Sequence, residues 1–207
     1  MKGVTVIEHP LVQHHLTRLR DQATRPEEFR RALGEIAALM LYEATRSFAV
    51  RAVPVSTPLA RARGCRLECE VVLVPVLRAG LGMLDPMLKL IPHARVGFIG
   101  LKREETTLAA TFYHESLPPD LKRFEVILID PMLATGGSAV AAMDRLVAHQ
   151  VRRVRLVSLV AAPEGVRHLR RSYPTLPIFT AAVDQKLNDK GYILPGLGDA
   201  GDRLFGV

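Results

Sequence analysis

The stretch VILIDPMLATGGSA, Val126 to Ala139, restricts this chain more than any other. Val126 to Ile129 is apolar throughout and mostly β-branched, which suits a strand covered on both faces and therefore demands packing layers above and below it. Asp130 stands at the carboxyl end of that run. Thr135, Gly136, Gly137 and Ser138 follow, and then the helical pattern AVAAMDRLVAHQ. Glycines let the backbone turn tightly and approach a ligand closely, while the free amides and positive dipole end of the next helix attract an anion. A strand, a carboxylate, a glycine loop and a helix start in that order predict a site for a sugar phosphate.

The composition permits this. With 207 residues, 48% of them hydrophobic, the chain can bury one substantial core, and a single domain over residues 1–207 is expected. No run approaches the roughly 20 apolar residues that span a bilayer. The longest, Val71 to Leu77, meets Arg78. The start MKGVTVIEHP lacks a signal peptide's apolar centre, so a cytoplasmic protein is expected. Two cysteines, Cys65 and Cys69, exclude a disulfide framework and a four-thiolate zinc site within one chain, and buried or half-buried thiols are expected. The net charge of +7 raises nucleic acid as a partner. However, the basic clusters at Val151 to Arg155 and Arg167 to Arg171 are not interleaved with aromatics, which leaves few platforms for stacking bases. Small acidic metabolites suit the charge as well, and neither nucleic acid nor membrane is expected.

Helical and strand patterns alternate along the chain without a linker or repeat. Pro26 to Phe48 opens with Pro and two acids and carries apolar residues at helical spacing. Val71 to Leu77 reads as a strand and Gly80 to Ile91 as the helix after it. ARVGFIGLKRE and LAATFYHES read as two strands of a long hairpin with a polar tip at Lys102 to Thr107. Further strands fall at Val154 to Val160 and Leu176 to Val183. The alternation predicts an α/β fold with a largely parallel central sheet flanked by helices, whose ligands bind beyond the carboxyl ends of the strands. Gly80 and Gly82 partly imitate a dinucleotide fingerprint, but Asp85 occupies the position of its third small residue. A Walker loop fits worse, since Gly136 to Ser138 lack its Lys and spacing.

Three segments carry a family resemblance. VILIDPMLATGGSA resembles the phosphoribosyl diphosphate signature of the type I phosphoribosyltransferases, and its Asp-Pro, where that fold usually has two adjacent acids, is similar to the uracil-specific branch. PVLRAGLGM (Pro75 to Met83) resembles the same family's pyrophosphate loop, and GYILPGLGDAGDRLFG (Gly191 to Gly206) its base-binding segment. The resemblance spans nearly the whole chain. It implies a type I phosphoribosyltransferase-like fold with a β-hairpin arm and a C-terminal hood over the base. The reaction it implies is uracil plus 5-phosphoribosyl 1-diphosphate (PRPP) giving uridine monophosphate and diphosphate.

Carried over position by position, the resemblance implies that Asp130 meets the ribose hydroxyls and the developing oxocarbenium ion. Pro131, Met132, Leu133, Ala134, Thr135, Gly136, Gly137 and Ser138 would wrap the 5′-phosphate. Arg78 would bind the diphosphate, and Arg103, in the hairpin, would close over it. The sequence LKREETT has Lys102 where the family commonly has an aromatic residue. Ile193, Gly198 and Ala200 would offer main-chain contacts to uracil. Asp199 is assigned to both the base and the diphosphate side, and Tyr192 either covers the base or packs. Mg2+ would be held mainly by PRPP and water rather than by a protein cage. A homodimer or homotetramer is implied, and GTP activation is known in some members. Two other readings remain open: an RNA-binding pyrimidine-operon regulator of related fold, and a nicotinamide-dependent oxidoreductase using Gly80 and Gly82.

Overall fold

The structure, a computed structural model, describes residues 3–103 and 110–207. In chain order the elements are β1 (Val4–Val6), α1 (Pro10–Arg20), α2 (Pro26–Ala44), β2 (Val50–Ser56), β3 (Arg61–Leu67), β4 (Val71–Leu77), α3 (Leu81–Leu90), β5 (Arg95–Val96), β6 (Phe98–Arg103) and β7 (Ala110–Ser116). After a 3-10 turn come β8 (Glu125–Ile129), β9 (Met132–Leu133), α4 (Gly137–Ala148), β10 (Arg153–Ala161), α5 (Pro163–Ser172), β11 (Ile178–Val183), β12 (Lys186–Leu187), β13 (Ile193–Leu194) and α6 (Ala200–Phe205). The main sheet runs β1-β11-β10-β8-β4-β6-β7, with β5 beside β4 and β9 beside β10. Its pairings are parallel except β6 with β7. The expected α/β architecture is present, and β8, carrying the opening motif, lies in the middle between β4 and β10.

Side-chain alternation on the central strands divides the core in two. Leu73, Ile127, Ile129, Val157 and Leu159 pack on one face with Phe29, Leu33, Ile36 and Met40 of α2. Val72, Val74, Val126, Leu128 and Leu156 pack on the other with Ala142, Met143 and Leu146 of α4 and Leu169 of α5. A strand clothed on both faces needs apolar residues at every position, which is why the run in β8 does not alternate. The layers also fix where the strand ends must open, at the edge that neither layer covers.

Helix α2 starts at Pro26 with Glu27 and Glu28 in its first turn, as the sequence predicts, but stops at Ala44 rather than Phe48. Thr45 turns the chain, its hydroxyl donating to the Leu41 carbonyl at 2.9 Å. Phe48 is nevertheless 9% exposed, and the Arg155 guanidinium lies 4.4 Å from its ring centroid. Its apolar signal therefore reports tertiary packing, not helix continuation.

Between Phe48 and Val71, where the sequence reading assigned no element, β2 and β3 form a two-stranded ribbon paired from Val50 with Leu67 to Ser56 with Arg61. Nearly every residue of it is exposed, Leu59 at the tip to 97%. Cys65 lies in this ribbon and is exposed, which corrects the expectation of a buried or half-buried thiol, whereas Cys69 is half-buried. Neither face of the ribbon is covered among the described residues, so Cys65 has no core to enter, whereas Cys69, beyond the end of β3, packs against the core.

The two-layer core gives a direct test. Ile127→Ala removes a fully buried side chain from the middle strand and should lower unfolding free energy by about 2–5 kcal/mol. Val55→Ala, on the open ribbon, should stay within about 0.5 kcal/mol at protein concentrations where the chain is monomeric. Urea titrations of the two variants make the comparison.

Candidate functional site

At the carboxyl edge of the sheet a cleft of about 170 Å3 is lined by Ala79, Asp130, Met132–Gly136, Ser138, Ala139, Gly191–Ile193 and Gly198–Gly201. Asp130 continues directly from β8, its amide donating to the Val157 carbonyl of β10 at 3.1 Å. Among the described residues the carboxylate accepts only a long bond, from the Met132 amide at 3.4 Å. Burial among apolar strands pushes the Asp130 carboxyl up to about 6, the weak amide contact opposing it. A carboxylate held this way is costly to charge among its apolar neighbours, and it favours any cation brought beside it.

The loop after Asp130 is tied down along its outer side. Its two-residue strand β9 pairs with Val160 and Ala161 of β10. The Val160 amide donates to the Pro131 carbonyl at 3.1 Å, and the Ala162 amide to the Leu133 carbonyl at 2.9 Å. Ser158, fully buried, accepts the Leu133 amide at 3.0 Å and donates to the Val160 carbonyl at 3.3 Å. His168 of α5 lies with Nδ1 at 2.9 Å from the Thr135 carbonyl. A carbonyl only accepts, so Nδ1 carries the proton. With these groups occupied on one side, the opposite side of the loop is left to face the cleft.

The two glycines of the loop do different work. Gly136 caps α4 at φ +85°, and a Cβ there would lie 2.7 Å from the Gly165 carbonyl oxygen. In return, a Cβ on Gly165 would fall 2.3 Å from the Ala134 carbonyl oxygen. This pair lets α5 press backbone against backbone on the loop. A Cβ on Gly137 would meet only the Thr135 hydroxyl, at 3.7 Å. The space beside Gly137 is therefore open, at the first turn of a twelve-residue helix whose leading amides have no intrahelical acceptor. Such a place suits a phosphate dianion.

The facing wall comes from the C-terminal segment. Ile193 and Ala200 are buried, Gly198 has φ +79°, and Tyr192 is 43% exposed above the cleft. Asp199 caps α6, its Oδ1 accepting from the amides of Gly201 at 2.7 Å and Asp202 at 3.0 Å. The segment is docked and helical at its end. Opposed to the glycine loop, it leaves a slot with main-chain groups on its rim.

The structure thus gathers Asp130, Met132, Leu133, Ala134, Thr135, Gly136, Ser138, Ile193, Gly198, Asp199 and Ala200 in one cleft. Pro131 and Gly137 sit within the same loop but do not line it. Arg78 follows β4 across a cis Leu77–Arg78 peptide, is exposed, and lies 6.0 Å over the Phe205 ring, beside the cleft through its neighbour Ala79. Arg103 ends β6, but its side chain and the hairpin tip at residues 104–109 lie outside the described residues. Gly80 and Gly82 prove to be packing glycines. A Cβ on Gly80 would lie 2.8 Å from the Ile129 carbonyl oxygen, and one on Gly82 would lie 2.6 Å from Leu33. Their closeness is to the protein's own strands and helices, so the partial dinucleotide fingerprint has another physical origin.

Ser158, Gly165 and His168, which shape the loop from neighbouring elements, carry no motif of their own and escaped the sequence reading. Ala79, Ala139, Gly191 and Gly201 also line the cleft; each lies inside one of the three motif segments but carried no site assignment of its own. Among the described residues no three His, Cys, Asp or Glu side chains come together as a metal-binding group.

A family model described as uracil phosphoribosyltransferase matches residues 6–207. The uracil phosphoribosyltransferase of Dictyoglomus thermophilum is 54% identical over 205 residues, with 99% of each chain covered. The solved structure of the AQ2163 protein from Aquifex aeolicus matches with a TM-score of 0.94 and 41% identity, covering 99% of this chain and 98% of that one. A hypoxanthine phosphoribosyltransferase from Staphylococcus aureus shares the fold alone, with a TM-score of 0.52 and 14% identity over 77% of this chain and 75% of that one.

The raised Asp130 carboxyl predicts a stability signature. In the unfolded chain the group ionises in the ordinary carboxylate range, so folding loses stability as pH rises from about 4 through about 6. Asp130→Asn removes that loss. Its melting temperature should exceed the wild type's at pH 8, and the gap should close as pH falls below about 6. A variant that melts lower at pH 8 would show that Asp130 is not desolvated.

Proposed function

The chain belongs to the uracil phosphoribosyltransferase family, and we propose on that premise that it joins uracil to the ribosyl group of PRPP, giving uridine monophosphate and diphosphate in pyrimidine salvage. The observation that carries the reading is the carboxylate of Asp130, the only one in its strand-loop motif, set between an amide-lined loop and a facing rim of main-chain groups. Departure of diphosphate leaves positive charge on the ribose carbon. Asp130, disfavoured as a free anion by its burial, would be stabilised by that charge, so its interaction would strengthen toward the transition state. The amides of Thr135 to Ser138 and the dipole of α4 would hold the 5′-phosphate. Arg78 and Arg103 would receive the departing diphosphate, a guanidinium fork matching its oxygens.

Uracil would lie against the C-terminal rim, where Ile193, Gly198 and Ala200 can meet its donor and acceptor edge through backbone groups, with Tyr192 beside it. Gly198 lacks the Cβ that would crowd a flat ring from the rim. Asp199, with one oxygen committed to capping α6, keeps the other for the ribosyl diphosphate side. Mg2+ fits this donor set. Asp130 and the second oxygen of Asp199 are hard oxygen donors on one cleft, too few for a protein cage and sufficient beside diphosphate oxygens and water. Bound with PRPP, the ion would offset the leaving group's charge. Closure of the β6–β7 hairpin over the site would exclude water from the activated sugar.

We also propose a homodimer or homotetramer. A lone two-stranded ribbon exposed on both faces is marginal in water, and β2–β3 exposes Val50, Val55, Leu59 and Leu67. A second copy of the chain would cover them. Activation by GTP and residence in the cytoplasm are further proposals that rest on the family resemblance alone.

Two measurements follow. Purified protein with Mg2+ should form the mononucleotide from uracil and PRPP but not from cytosine, adenine or orotate, followed by product chromatography. Loss of Asp130 as Asn should cut turnover by at least about 100-fold in the folded protein. Absence of product from uracil would overturn the function. For assembly, sedimentation should give a multiple of the 22.8 kDa chain, and Leu59→Asp with Val55→Asp should shift it toward the monomer.

A further inference from the structure

The rim assigned to uracil has little regular structure to hold it. Between β13 and α6 it runs through Gly196 at φ +61° and Gly198 at φ +79°, conformations that leave a free chain many alternatives. What fixes it is an ion pair from two remote elements. Arg20, the last residue of α1, donates to both oxygens of Asp184 at 2.6 and 2.8 Å, and Asp184 follows β11 with its side chain almost wholly buried. The same pair takes both backbone polar groups of Gly196. Its amide donates to Asp184 at 2.8 Å, and its carbonyl accepts from Arg20 at 2.7 Å.

Gly196 transmits this grip to the rim. A Cβ there would lie 2.2 Å from the Ile193 carbonyl oxygen, so the two residues are in backbone contact. The next residue is held too, since Arg203 donates to the Leu197 carbonyl at 3.0 Å and to the Asp21 carbonyl at 2.6 Å. The end of α1 therefore grips Gly196 and Leu197, the two residues immediately before Gly198 on the stretch that links it to Ile193. Asp184 is itself anchored in the sheet, its amide donating to the Ala161 carbonyl at 2.8 Å.

We propose that Arg20 and Asp184 are positioning residues for the base: their ion pair sets the spacing of the main-chain groups that read uracil, and leaves the phosphate loop untouched. The proposal rests on the reading that uracil occupies this rim. Main-chain readout has no side chain to adjust, so it depends on the loop's rigidity, and a misplacement near 1 Å can cost about 100-fold. The phosphate loop draws its support from β10 and α5 instead, through Ser158, Gly165 and His168.

Steady-state kinetics of Asp184→Asn and Arg20→Lys, with PRPP binding by calorimetry in the absence of base, test this. Asp184→Asn keeps the shape and breaks the double bond to Arg20. Arg20→Lys keeps the charge and cannot serve Asp184 and Gly196 together. We expect the KM for uracil to rise about tenfold or more in Asp184→Asn and less in Arg20→Lys, while PRPP affinity stays within about twofold. Parallel weakening of uracil and PRPP, a fall in kcat with both KM values unchanged, or no change in a folded variant would each overturn the proposal. Should Asp184→Asn fail to fold, Arg20→Lys decides by the same split. A wild-type chain that binds PRPP but never consumes uracil would instead overturn the functional reading on which the proposal rests.

Discussion

Strand β8 is covered on both faces and paired on both edges, and this confinement is what the site depends on. Val126 and Leu128 face one packing layer, Ile127 and Ile129 the other, while β4 and β10 supply the neighbouring backbones. A strand so enclosed has no freedom of register, because a slip of one residue would exchange its two faces. Asp130 is thereby delivered to one place at the sheet's open edge. The same apolar surroundings that fix the strand desolvate the carboxylate at its end and push it up to about 6. The fixed position of the acid and its raised ionisation have one cause.

The glycine loop beyond Asp130 would gain nothing from that precision if it were free to move. It is restrained from outside: Ser158 grips Leu133, β10 grips Pro131 and Leu133, and the Gly136–Gly165 contact seats it on α5. Each restraint engages a group on the side away from the cleft. Occupying one side's hydrogen-bonding capacity leaves the other's unpaired, and unpaired amides in a concave site are what bind an anion without paying for reorganisation. The hairpin is tied to the same helix. Glu115 of β7 accepts from Arg145 of α4 at 2.7 Å and contacts His149 at 2.8 Å, and the Arg145 bond holds its carboxyl below the usual range. The helix that begins at the glycine loop thus ends against the base of the hairpin that carries Arg103.

What could be read from the sequence was whatever is contiguous in it. Strand, carboxylate, loop and helix of residues 126–148 form one unbroken pattern, and β4 and the core strands announce themselves by apolar runs that only a doubly covered sheet requires. The β2–β3 ribbon was not legible, because its pattern VRAVPVS and RARGCRL matches no face of this chain's own core. Phe48 misled for the converse reason, its burial coming from Arg155, more than a hundred residues away. Arg20 with Asp184, and His168 with Thr135, couple distant segments through single side chains that no local spacing marks. Gly80 and Gly82 show the remaining ambiguity. A glycine required by close packing and a glycine required by a phosphate look identical until the neighbouring backbone is in place.

Pro131 is the residue of the motif whose chemistry is negative. It is buried, its carbonyl is taken by Val160, and it brings no amide hydrogen that would need a partner in that confined turn. A second acid there would place another carboxylate beside one already desolvated enough to titrate near 6. Like charges in a shared dry site push each other's ionisation up further, so at neutral pH the pair would tend to keep a proton. With proline, Asp130 is the motif's only carboxylate, and the uncharged ring in place of a second acid spares it the repulsion that would push its ionisation higher.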